Sequence, residues 1–172
     1  MTTTRFSGPL AMRLLLAWHG LFAGAYGVAF LTAEGIGALH RFAGYAALGL
    51  LALRLAAAML APERSPWSLP WPTAVQWKPF LAKLGRGDIS VFRSRTPLAP
   101  LSGLVILAVL VLVSVSGLIA EFWKWDDMHE GVAEASLAAI LVHIALVSLG
   151  PAWKALAAAP RASEARSAAS AY

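Results

Sequence analysis

The sequence predicts an all-α integral membrane protein, a bundle of four transmembrane helices, on three observations. Hydrophobic residues make up 59% and charged residues 13% of the 172-residue chain, against about 45 to 50% and about 25% in soluble domains. Four stretches, Leu10–Thr32, Leu39–Ala61, Leu98–Ala120 and Val132–Leu149, approach or exceed the ~20 mostly apolar residues that a helix needs to cross a bilayer. The net charge of +5 gathers between these stretches, a distribution set by lipid-side topology that implies no nucleic-acid partner.

Leu14–Leu31 in the first span is eighteen residues interrupted only by His19. That is longer than the apolar run of a cleaved signal, and three more spans follow it, so it reads as a retained helix. The second span carries His40 near its start and Arg54 in its later half. A long connection from Pro62 to Pro97 follows. Its segment Ser65–Phe80 places Trp67, Trp71 and Trp77 among four prolines and reads as chain lying in the headgroup layer. The third span offers only Ser102, Ser114 and Ser116 as polar residues and reads as structural. The fourth is framed by His129 and His143. Residues 1–158 are expected to form one domain, and the alanine- and serine-rich tail 159–172 to be disordered.

Charge sets the expected orientation. Arg5 and Arg13, the connection with Arg64, Lys78, Lys83, Arg86, Arg93 and Arg95, and the tail with Lys154, Arg161 and Arg166 share one side. The other two loops and their helix junctions hold Arg41 and Lys124 among Glu34, Glu121, Asp126, Asp127, Glu130 and Glu134. The positive-inside rule puts both termini in the cytoplasm and the acidic loops outside.

All four histidines lie in or beside spans. Ionisable side chains at membrane depth are costly and usually mark a pathway or a ligand. Fourteen residues separate His129 from His143, four helical turns less 40°, so both rings leave one face ~21 Å apart. By depth, His19 lies ~14 Å from the cytoplasmic edge and His143 ~10 Å, while His40 and His129 sit together near the outer surface. Two depth-matched pairs suit two stacked, bis-histidine haems; a loop or cap role for His40 and His129 is the structural alternative. Zinc is disfavoured because no pair has i, i+4 spacing or a third ligand. The absence of cysteine excludes disulfides, thiolate-held clusters and covalent c-type haem. Gly20, Gly24, Gly27, Gly44 and Gly49 would let a flat macrocycle approach the backbone, or serve ordinary helix packing in lipid. Arg54, fourteen residues beyond His40, reaches the level of the inner pair. There it would neutralise a haem propionate, although snorkelling to headgroups explains Arg54 almost equally well.

His40-Arg-Phe-Ala-Gly44-Tyr45 followed by Arg54-Leu55 resembles the second-helix motif of the bacterial cytochrome b561 and nickel–iron hydrogenase b-type cytochrome superfamily. His129-Glu130 and His143-Ile144 resemble its fourth helix, shared with membrane subunits of formate dehydrogenases. Thr96-Pro97-Leu98 and Ser116-Gly117-Leu118 are similar to its Asn-Pro-Leu and Thr-Gly-Leu positions. The resemblance covers about residues 10 to 153. It implies a di-haem b-type cytochrome of the bacterial inner membrane that moves electrons between a quinone pool and a partner redox protein, with His19 and His143 on one haem and His40 and His129 on the other. The family has Arg-x-x-His-Trp in its first helix, whereas here Trp18 precedes His19 and Arg13 stands six residues before it. A single-haem version using the second and fourth helices therefore stays open. Three functional readings remain: a membrane electron-transfer subunit of a larger oxidoreductase, a stand-alone quinone oxidoreductase, and a haem-free transporter or assembly factor. The outer acidic rim would suit a basic subunit face or a c-type cytochrome.

Overall fold

The computed structural model describes residues 8–63, 65–88 and 96–169, of which 149–169 are described as backbone alone. Arg5, Arg64, Arg93 and Arg95, four of the orienting cations, lie outside the described residues, as does the end of the tail from 170.

Five helices follow in order: α1 (Gly8–Leu31), α2 (Gly37–Leu60), α3 (Ala74–Leu84), α4 (Leu98–Trp123) and α5 (Asp126–Ala169). There is no strand among the described residues. Helices α1, α2, α4 and the Asp126–Ser148 part of α5 are long and apolar enough to cross a membrane. The chain is a multi-pass membrane protein, and its exposed Leu16, Leu21, Leu31, Met59 and Leu60 are the lipid-facing surface that such a protein needs.

Helix ends depart from the apolar runs. α5 begins six residues before Val132, at Asp126 and Asp127, because two carboxylates in the first turn complement the positive end of the helix dipole. His129 is therefore helical and not part of a flank. Between α4 and α5 stand only Lys124 and Trp125; Lys124 takes φ 55°, the left-handed conformation that commonly ends a helix. At the other end α5 runs through Ala169, over residues read from sequence as a disordered tail. Alanine is the strongest helix former, which accounts for the continuation. The tryptophan-rich connection also holds a helix that its prolines concealed. α3 starts after Thr73, whose backbone N–H donates to Gln76 Oε1 at 3.3 Å, one arm of a capping box.

The chain divides into two compact units, residues 1–69 with 108–136 and residues 70–107 with 137–172. In the first, α1 and α2 pack as an antiparallel hairpin. Ala43, Ala47, Leu51 and Arg54 form the buried stripe of α2, at spacings of four, four and three that keep one face inward. On α1, Trp18, Phe22, Tyr26 and Phe30 stack ring on ring at i, i+4 spacing, with centroids 5.5, 6.4 and 6.2 Å apart. Tyr26 Oη hydrogen-bonds Ser136 Oγ of α5, and Ser136 is wholly buried. In the second unit, Phe80 of α3 and Ser102 of α4 are buried.

Candidate functional site

His40 stands in the first turn of α2, its backbone N–H donating to Ile36 O at 2.9 Å. Its ring reaches across the hairpin to α1, with Nδ1 2.8 Å from Ala29 O. Ala29 lies in the last turn of α1, where carbonyls have no partner within the helix. A carbonyl only accepts, so His40 Nδ1 carries a proton, and in the neutral ring the lone pair is then on Nε2.

His129 reaches the same region from the other hairpin. The tight reversal at Lys124 brings the first turn of α5 back along α4, placing His129 Nδ1 3.0 Å from Ser116 Oγ. The ring lies on Gly117, where a Cβ would come within 3.0 Å of Cε1. Any larger residue at 117 would displace the imidazole.

The His40 and His129 rings stand with centroids 6.1 Å apart and planes at 66°. Around them opens a cavity of about 760 Å³, lined by Phe22, Tyr26 and Phe30 of α1, Gly44 and Tyr45 of α2, Val113 and Gly117 of α4, and Ala133 of α5. Gly44 is one helical turn from His40, and a Cβ there would meet nothing within 4 Å, so it leaves space on the ligand face of α2. Glu34, Glu121, Asp126, Glu130 and Glu134 also line the cavity, with Arg41 as a cation among them.

The family model for prokaryotic cytochrome b561 matches residues 9–159. The chain belongs to the prokaryotic cytochrome b561 family. No curated protein and no solved structure is similar enough to match it. Membership makes the chain a b-type cytochrome of transmembrane electron transfer, and it implies b-type haem. The His40/His129 region fits that group. The two imidazoles stand 6.1 Å apart by their centroids, each with Nδ1 engaged by an oxygen, and would hold the group between them through Nε2. The cavity volume falls within the usual range for bound cofactors, with apolar and aromatic residues of α1, α2 and α4 on one part of its wall and the acidic cluster with Arg41 on another. Among the described residues no cluster of three or more histidine or acidic side chains could hold a metal ion.

The other residues singled out from this cytochrome's sequence lie elsewhere. His19 is exposed, and its ring centroid lies 6.2 Å from that of Trp18. Arg13 and Gly24 are exposed too. Gly20, Gly24, Gly27 and Gly49 each have open space where a Cβ would stand. His143, in the second unit, is half-buried, with Nδ1 3.0 Å from Ser102 Oγ. Arg54 is only 7% exposed. Its guanidinium donates to Trp67 O at 2.7 Å and lies 5.9 and 5.8 Å from the ring centroids of Trp18 and Trp67. Trp67 in turn donates from Nε1 to Ala11 O at 3.1 Å, and Trp18 to Leu50 O at 2.8 Å. The connection after α2 is thus pinned to α2 by Arg54 and to α1 by the Trp67 indole, while Trp18 ties α1 to α2.

Sequence reasoning missed the part played by the third span. Ser102 and Ser116 of α4, read as structural, contact the two histidines of α5. A signal was present, because the serines stand fourteen residues apart, as the histidines do, in the opposite chain direction.

Proposed function

We propose that the chain is a di-haem member of its family, passing electrons between a quinone pool and a partner redox protein as the membrane subunit of a larger oxidoreductase. The observation that carries most weight is the His40/His129 pair, 6.1 Å apart beside an aromatic-walled cavity. Bound haem supplies one-electron redox chemistry at its iron. The protein's own residues provide the rest. His40 and His129 would hold the group, Gly44 and Gly117 leave room, and Phe22, Tyr26 and Phe30 form an aromatic wall beside it. A second haem would use His19 and His143, with Arg13 or Arg54 as counter-charge to a propionate or to a quinone on the cytoplasmic side. That part rests on family analogy and the depth of the histidines in sequence.

Asp126, Asp127 and Glu130 give the expected outer end of the bundle a negative rim. A c-type cytochrome or a basic subunit face would complement it. The stand-alone quinone oxidoreductase differs only in working without that partner, and purified protein that oxidises quinol alone would favour it. The deciding experiment is a reduced-minus-oxidised absorption spectrum with haem quantitation per chain. Two haems are expected; one leaves the His40/His129 site alone, and a colourless protein ends the reading. Docking on the acidic face should make transfer to a cationic partner slow as salt rises and slow again in Asp126→Asn/Asp127→Asn. A rate indifferent to both would remove the face from the account.

A further inference from the structure

We propose that Ser116, on a helix that carries no ligand, is a positioning residue that sets the tautomer of His129 and so makes its Nε2 a ligand. The inference rests on the haem reading of the His40/His129 pair and extends it to α4.

The argument is one of proton counting. A serine hydroxyl has a single proton to give. Ser116 Oγ lies 2.9 Å from Val113 O and 3.0 Å from His129 Nδ1, and the residue is only 5% exposed. Val113 O has no proton, so the hydroxyl proton must point to it; otherwise two oxygens would face each other at 2.9 Å with nothing between them. Oγ is then an acceptor towards the ring, and the contact at 3.0 Å is Nδ1–H donating to Oγ. A neutral imidazole with its proton on Nδ1 presents its lone pair at Nε2. Gly117, beneath the ring at 3.0 Å from a would-be Cβ, allows this approach, so adjacent residues of α4 provide the acceptor and the room.

The same arrangement recurs in the second unit. Ser102 Oγ lies 2.8 Å from Ala99 O and 3.0 Å from His143 Nδ1. His40 obtains the same tautomer by a different route, from the backbone carbonyl of Ala29 at 2.8 Å. The two proposed axial ligands of one haem therefore differ. His40 is held by a peptide carbonyl alone, whereas His129 has the Ser116 hydroxyl beside the carbonyl of Val113. Partners beyond the coordinating atoms fix ring orientation and raise ligand basicity, so Ser116 also stabilises the ferric form and lowers the reduction potential.

Nitrogen-15 NMR of histidine-labelled, haem-free protein in lipid nanodiscs reads the tautomer directly. Wild type should show His129 protonated at Nδ1; protonation at Nε2 overturns the proposal without any variant. Ser116→Thr and Ser116→Val have nearly the same shape and differ in the hydroxyl. Threonine, which bonds the same backward carbonyls in helices, should keep haem affinity, potential and tautomer. Valine should mix the tautomers, raise the potential and weaken haem binding by about 10- to 100-fold. Equal behaviour of the two variants overturns the proposal. If wild type binds no haem, the functional reading fails while the tautomer measurement still decides the role of Ser116.

Discussion

Near the turn of the α1–α2 hairpin, His40 and Tyr26 direct their polar atoms to Ala29 O and Ser136 Oγ and leave a cavity beside them. At the open end of the same hairpin, Trp18, Arg54 and Trp67 fill the space with one another and with backbone carbonyls. Both ends obey one rule, since a polar group away from water must find a partner. They differ in what stands between the partners. At the far end two indoles and a guanidinium occupy the space, whereas at the turn end the residues around His40 leave a cavity. Three experiments test that contrast.

The largest effect is expected from the ligands. His40→Ala and His129→Ala should each remove the same haem, because one imidazole cannot hold six-coordinate low-spin iron. Pyridine haemochrome assays and low-temperature spectra of these variants, beside His19→Ala and His143→Ala, count the haems. In the di-haem reading each substitution removes one of two. Unchanged haem content in His19→Ala would restrict the cofactor to the turn end, in agreement with the exposure of His19 there.

Gly44→Phe would make the turn end resemble the filled one. A side chain from this position meets no atom within 4 Å at its Cβ and would occupy the cavity without disturbing the hairpin. The expected outcome is lost haem binding with unchanged helical content by circular dichroism. Retained haem with an unshifted spectrum would mean that the cavity is not the cofactor's place.

The smallest effect belongs to the filled end. Arg54→Leu removes a charged donor from Trp67 O, a loss of about 2 kcal/mol for a buried bond of this kind. It should free the connection after α2 and speed hydrogen exchange at Trp67 and Ser68, while leaving the turn-end haem spectrum in place. A collapse of that spectrum would show that the two ends are not independent.

These residues also show what the chain discloses before folding. The four spans are legible because lipid demands long apolar runs, and the His40/His129 match because helical rise converts residue number into depth. Helix ends are less so. His129 lies beyond the apolar run, and only the dipole argument at Asp126 and Asp127 places it inside α5. Ser116 leaves little trace, since a serine in an apolar helix most often bonds its own turn, and only its register with Ser102 singles it out. The position of Arg54 gives its depth but not its partner. Trp67 arrives from a proline-rich connection whose path no periodicity reveals, and the same prolines hid α3.

The two-residue link at Lys124 and Trp125 has a consequence for the order of assembly. A reversal that short leaves α4 and α5 no slack to enter a bilayer separately, so they are expected to insert as one hairpin, with Ser116 already against His129. The α1–α2 hairpin, joined through Thr32–Ile36, carries His40 and its carbonyl partner Ala29 as a second prefabricated half. The first half arrives with His40 oriented, the second with His129 and His143, and neither holds both His40 and His129. In this sequence of events the haem is a clasp, and its capture is the step that joins two finished hairpins into a cytochrome.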